Sequence, residues 1–260
     1  MESRHWWFVA RRKIIAKILN SCLPPQPRSI LEIGCGTGGN LELLSCYGTL
    51  FGMEMDEAAL ALAKSKEICP VEQGALPGGI PFSQQFDLIC LFDVLEHISE
   101  DLAALQSIHS RLSPNGTVLL TVPAYAFLWS DHDVQLHHKR RYTRQELATL
   151  FEKAGFTVRY TTYFNTFLFP VIALVRGVNK LLKCSGGTVV AMPPPLLNKL
   201  LLNIFACERF LLPAVSLPFG VSLLLLAERT AGSDTDSQKC PEPVAEEVEA
   251  RHHQHHHGQA

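Results

Sequence analysis

The run Glu32-Ile33-Gly34-Cys35-Gly36-Thr37-Gly38-Gly39 sets a carboxylate two residues ahead of a glycine-rich turn. Glycines in such a turn let the backbone bend tightly and let a ligand approach with no Cβ in the way. Glu54 follows at the end of the next apolar run, where a carboxylate accepts hydrogen bonds from ribose hydroxyls. Turn and acid together predict a nucleoside site. The spacing Gly34-x-Gly36-x-x-Gly39 also satisfies the dinucleotide fingerprint, so the glycines alone do not choose the cofactor.

Glu32 helps to choose. A carboxylate there repels a pyrophosphate held at a helix N-terminus, whereas it attracts the ammonium of S-adenosylmethionine. A second group of reactive types lies further on, in Asp131, His132, Asp133, His137 and His138 with Tyr142 nearby, and His97 stands alone before it. A histidine titrating near neutrality suits removal of a proton from an acceptor. Asp133, His132, His138 and His97 are therefore the catalytic candidates, with a loop-ordering role, Asp133 pairing Arg140 or Arg141, as the alternative. Arg140 and Arg141 also suit a phosphate or carboxylate on the acceptor.

The elements that must position these groups read as alternating strands and helices. SILEI (29–33), TLFGM (49–53), FDLICLF (86–92) and TVLLTV (117–122) are apolar throughout, as strands covered on both faces are. An alanine-rich helix starts at Glu57. Leu102, Leu105, Ile108 and Leu112 form a helical stripe that Ser113-Pro114-Asn115-Gly116 stops as a turn. Thr143 and Glu146 form a capping box, Leu147, Leu150, Phe151 and Ala154 the apolar face of the next helix, and Gly155 its end. FTVRYTTY (156–163) reads as a strand. This order predicts an α/β fold with a doubly wound, mostly parallel sheet.

Over residues 29 to about 160 the chain resembles the class I S-adenosylmethionine-dependent methyltransferases. LEIGCGTGGN, FGMEMDEAAL, FDLICLFDVLEHI, LSPNGTVLLTVP and the L-x-x-L-F-x-x-A-G-F pattern of 147–156 carry the resemblance, in the family's order. HWWF…RR near the start and LWSDHDVQLHHKRRYT (128–143) resemble a bacterial-type subgroup. The resemblance implies S-adenosyl-L-methionine as cofactor and a Rossmann-like seven-stranded sheet whose last strand, around 221–228, runs antiparallel beside 156–163. It implies Glu32, Gly34, Cys35 and Gly36 around the methionine portion, Glu54 on the ribose, Met55 against the adenine and Asp93 beside the methionine end. Gly74 is followed by Ala75, where many relatives carry an acid, so the adenine falls to backbone groups near Ala75 and Leu76.

The boundaries follow from composition. Residues 1–27 read as an N-terminal amphipathic helix, with Trp7, Ala10, Ile14 and Ile18 on one stripe and Arg11, Arg12, Lys13 and Lys17 off it. Residues 28–230 form the catalytic domain, and 231–260 read as a disordered tail, acidic then histidine-rich. Between the last two strands, 164–219 is a hydrophobic helical insertion, rich in phenylalanine and basic residues with Glu208 as its acid. Such a segment suits a lipid-like acceptor or an anionic membrane surface.

A net charge of −2 gives no footprint for nucleic acid, and the scattered cysteines lack the pairing of a zinc site, so no metal is expected. With no secretory signal pattern, the expected location is cytoplasmic, with a peripheral position at the inner face of the membrane as the variant. Methyl transfer to a small-molecule or lipid-like acceptor, at oxygen first, leads the functional readings. An NAD(P)-dependent oxidoreductase on the same turn, and a non-catalytic membrane-associated protein retaining the fold, are the alternatives.

Overall fold

The computed structural model describes residues 2–23, 28–182 and 192–230. Seven strands form one sheet: β1 (Ser29–Ile33), β2 (Thr49–Glu54), β3 (Val71–Gln73), β4 (Phe86–Phe92), β5 (Leu112–Pro123), β6 (Phe156–Phe164) and β7 (Ser222–Arg229). Their order is β3-β2-β1-β4-β5-β7-β6. The first five pair in parallel, while β7 enters between β5 and β6 and runs antiparallel to both.

Alternation along each strand divides the core into two layers. In β4, Ile89 and Leu91 face α4 (Asp101–Arg111) and α6 (Arg144–Lys153), where Leu105, Ile108, Leu147 and Phe151 are buried. Leu88, Cys90 and Phe92 face the opposite layer with Ile14, Ile15 and Ile18 of α1 (Trp6–Cys22), Leu41 and Leu44 of α2 (Leu41–Ser45), and Phe205 of α8 (Pro195–Ala206). Strands buried on both sides had to be apolar throughout, which is why their sequences show little alternation.

Two local differences from the sequence reading have physical causes. Ser113–Gly116 does not form a free turn: the run is taken into β5, whose pairing with β4 is irregular between Phe86 and Leu88 and whose Asn115 adopts φ 64°. Arg11 is not on the solvent face of α1; it is buried because a carboxylate awaits it inside, as described below. In keeping with the apolar stripe, Trp7 packs with Trp6, edge-on, and against Phe205, so α1 is clamped to the insertion. Asn198 of α8 adds hydrogen bonds to the Trp6 amide (2.9 Å) and the Arg4 carbonyl (2.9 Å).

The insertion contributes α7 (Phe169–Leu182) and α8. Its start is anchored by Glu208, a buried carboxylate accepting the amides of Asn165 (2.7 Å), Thr166 (2.6 Å) and Phe167 (2.9 Å). Burial nevertheless raises the Glu208 carboxyl pKa above the usual range, against the pull of those amides. Along α7 no residue is buried, and Val171, Leu174, Val178 and Leu181 are exposed. Among the described residues no helix is long and apolar enough to cross a membrane. The tail beyond residue 230, with its histidines, and Lys183 lie outside the described residues.

Candidate active site

The turn after β1 is shaped by its glycines. Gly34 (φ 68°), Gly36 (φ 57°) and Gly38 (φ 79°) all occupy the left-handed region. A Cβ on Gly34 would meet Val94 Cγ2 at 2.6 Å, whereas a Cβ on Gly36 would enter open space. The amides of Gly34 and Cys35 are bound by the Met53 carbonyl (2.7 and 3.0 Å), which ties the turn to the end of β2. Cys35 turns its side chain into the core, where burial pushes the thiol up to about 12. It therefore offers backbone to the site.

Glu54 closes β2. Its carboxylate accepts the amides of Gly36 (2.7 Å), Met55 (2.9 Å) and Asp56 (2.9 Å). An ionised carboxylate has about four acceptor positions, so one is left for a hydroxyl. Met55, next along, is 68% exposed. Ala75 and Leu76 follow Gly74, whose amide donates to the Glu54 carbonyl (3.1 Å), so they stand at the same end of the sheet; the Ala75 carbonyl is engaged by Gly79 (2.8 Å).

Glu32 is buried in the sheet. Its Oε1 accepts from Asn40 Nδ2 (2.8 Å), while Glu32 Oε2 and Asn40 Oδ1 have no protein donor. Burial raises the Glu32 carboxyl to about 7, against the stabilising hydrogen bond from Asn40. Opposite in character is Arg11, which forms an ion pair with Asp93 while its buried Nε has no acceptor. Asp93, at φ 58° just past β4, also accepts from Thr121 Oγ1 (3.1 Å). Two orphaned acceptors and one orphaned donor are what a bound ammonium and carboxylate would complete. Residue types alone did not disclose Arg11, because its neighbours Arg12 and Lys13 look the same in sequence.

The second constellation joins α5 (Asp131–Gln135) to a 3-10 turn at Leu95–His97. Asp133, fully buried, accepts from His138 Nδ1 (2.9 Å), Arg141 Nε (2.7 Å) and Arg141 Nη2 (3.0 Å). Although burial works against it, hydrogen bonding from His138 and Arg141 holds the Asp133 carboxyl far below its ordinary range. Asp133 thus orients His138 and is itself occupied. His97 packs edge-on to His138 with ring centroids 4.7 Å apart, and His132 lies 6.5 Å from His138. Burial lowers the pKa of both His97 and His132, aided by His138 for the former and Arg176 for the latter.

Other candidates stand apart. Asp131 and His137 are exposed, Arg140 pairs with Asp101, and Tyr142 donates to Asp101 (3.1 Å), with its hydroxyl pKa raised by burial and by that carboxylate. Glu96, which the sequence reading passed over, is buried beside His138 with neither carboxylate oxygen hydrogen-bonded. Its signal in the sequence was only adjacency to His97.

A family model described as a methyltransferase domain matches residues 7–161. The chain belongs to that family. A Mycolicibacterium smegmatis protein assigned by name to the S-adenosylmethionine-dependent methyltransferases is 25% identical over 62% of this chain and 63% of its own length. The ubiquinone biosynthesis O-methyltransferase of Pseudomonas aeruginosa is 28% identical over 51% of this chain and 66% of its own. The chain thus spans just under two thirds of the curated relatives it matches. In fold, it is similar to an S-adenosylmethionine-dependent methyltransferase of Mesorhizobium loti, with a TM-score of 0.54, 16% identity, and coverage of 81% of this chain and 95% of that one.

These matches, with the seven-stranded sheet, put the chain in the class I S-adenosylmethionine-dependent methyltransferase family, whose cofactor is S-adenosylmethionine. They decide between the two cofactors that the glycine turn left open. The match begins inside α1 and ends inside β6, so the insertion and β7 lie outside it.

Proposed function

We propose that this chain transfers a methyl group from S-adenosylmethionine to an oxygen of a small or lipid-like acceptor. S-adenosylmethionine supplies an electrophilic carbon on a sulfonium, so the protein has chiefly to align a nucleophile and relieve it of a proton. Gly34, Cys35 and Gly36 give backbone room, Glu54 takes a ribose hydroxyl, Met55 covers the adenine, and backbone near Ala75 and Leu76 meets its edge. Glu32 with Asn40 takes the ammonium and Arg11 the carboxylate, Asp93 holding Arg11 in place.

The observation that carries an oxygen acceptor is the Asp133–His138 pair, held by Arg141 and set against His97. A histidine oriented through Nδ1 presents Nε2 to a substrate, and a hydroxyl docked there loses its proton as the new bond forms. His132 lies nearby, its ring centroid 6.5 Å from that of His138.

The lipid-like character rests on α7. Arg176 of that helix donates to the Leu128 carbonyl (2.7 Å) and lowers the pKa of His132, so the exposed apolar helix lies beside the acceptor residues. Val171, Leu174 and Val178 offer a surface for a hydrocarbon chain or for a bilayer delivering one.

The experiment is calorimetric titration with S-adenosylmethionine, followed by transfer of labelled methyl to hydroxylated acceptors with and without long alkyl chains. Adenosyl binding that Glu54→Ala weakens, with transfer to an alkylated phenol or alcohol, supports the reading. Transfer confined to amines or to carbon would overturn the oxygen assignment. Equal rates with and without the alkyl chain would overturn the lipid one.

A further inference from the structure

The structure assigns a divalent-cation site to Glu96, His97 and His138. One ligand atom from each lies within 4.8 Å of the others. His138 Nε2 stands 3.9 Å from Glu96 Oε1. That span is too long for a hydrogen bond, yet two ligands on bonds of about 2.1 Å can stand up to about 4.2 Å apart around one ion.

The surroundings favour a cation. Both Glu96 oxygens are buried and lack any hydrogen-bond donor, an arrangement that is costly for a carboxylate left alone. Asp133 holds His138 Nδ1 at 2.9 Å, and Arg141 holds Asp133, so the proton sits on Nδ1 and the Nε2 lone pair is turned toward Glu96. Carboxylate–histidine–metal order is the ordinary way in which a ligating imidazole is oriented. His97, packed edge-on to His138, stands on the third side; drawing the ligands in by up to about 1.4 Å reaches the spacing of a tetrahedral site. Two imidazoles and a carboxylate suit Zn²⁺, Co²⁺ or Fe²⁺ better than Mg²⁺ or Ca²⁺.

Three protein ligands leave a coordination position for an incoming oxygen. The inference here rests on the methyl-transfer reading: an acceptor hydroxyl on the cation gives its proton to water more readily, and His138 becomes a ligand in place of a base.

The test uses the full chain with His252, His253, His255, His256 and His257 changed to Gln in every arm, so that the tail does not compete. Protein stripped by chelator is titrated with CoCl₂ and read by visible d–d absorption, beside Glu96→Gln, His97→Gln and His138→Gln. One equivalent of Co²⁺ should bind, displaceable by Zn²⁺, and each variant should weaken binding at least tenfold. Circular dichroism and S-adenosylmethionine calorimetry on the same samples report folding and the cofactor site. Cobalt uptake no greater than that of Glu96→Gln and His138→Gln would overturn the cation site, even with cofactor binding intact. No cofactor binding in the unaltered protein would instead overturn the methyl-transfer reading on which the cation's role rests.

Discussion

Asp133 and His138, five residues apart in the chain, meet at 2.9 Å, and Arg141 closes the far side of the same carboxylate. Both Asp133 and Arg141 are almost wholly out of solvent. Removing one partner strands the other. Asp133→Ala should cost about 3–5 kcal/mol in urea unfolding, because the Arg141 charge then lacks compensation. Asp133→Asn should cost less, yet misorient His138 and lower kcat more than it raises KM. Equal stability of Asp133→Ala and the unaltered protein would disprove the network.

On the proposed reading, Glu32 makes cofactor binding a proton-linked event. Its carboxyl titrates at about 7 in the folded protein, raised by burial. The stability this gives is complete below the unfolded value near 4.3 and is lost as pH rises to 7, on the order of 3 kcal/mol. Glu32→Gln should flatten that slope. An ammonium docking on Glu32 selects the carboxylate, so S-adenosylmethionine binding at pH 6 should release close to one proton, and at pH 8 almost none, about as the titration at 7 requires. Calorimetry in buffers of differing ionisation enthalpy counts these protons, and no release at pH 6 would remove Glu32 from the ammonium.

Gly34 and Gly36 separate strain from occupancy. Both hold positive φ, but only Gly34 faces a side chain that a Cβ would strike. Gly36→Ala should lose about 1–2 kcal/mol of stability through backbone strain alone. Its methyl enters the cleft and should weaken S-adenosylmethionine binding tenfold or more. Gly34→Ala should melt lower than Gly36→Ala, since Val94 must also move. Thermal melts with and without cofactor check both, and undiminished affinity in Gly36→Ala would place the ligand elsewhere.

The sheet was legible where one physical demand dominated. FDLICLF and SILEI are buried on both faces, and their boundaries coincide with β4 and β1. The Thr143–Glu146 box is formed as the spacing predicts, with Thr143 and Glu146 exchanging side-chain and amide contacts at 2.8 and 3.3 Å. Harder to read were partners distant in sequence. Nothing local marks Arg11 for Asp93, 82 positions away, or Glu96 for His138. Charged residues in isolation look solvated, and only topology reveals that these are enclosed. The choice of Arg141 over Arg140 for Asp133 likewise depended on which arginine turned inward.

Glu208 controls the apolar insertion. Its carboxylate serves three consecutive amides, Asn165 to Phe167, at the exit of β6. Glu208→Ala strands three donors, those of Asn165 and Thr166 buried, and should cost about 3 kcal/mol. Glu208→Gln, with one acceptor oxygen, should fall between. Proteolysis should open the α7 region first in Glu208→Ala; a cut pattern unchanged from the unaltered protein would show that the segment is held by other contacts.

The placement of β7 bears on how this chain is made. β5 and β6 do not touch each other; the strand that joins them lies beyond both and beyond the whole insertion. During synthesis, β6 therefore has no neighbour in the sheet until about residue 229 has left the ribosome, a lag of seconds at ordinary elongation rates. Over that interval the greasy insertion emerges ahead of the strand that seats β6 in the sheet, the moment at which a chaperone or a bilayer has first access to it.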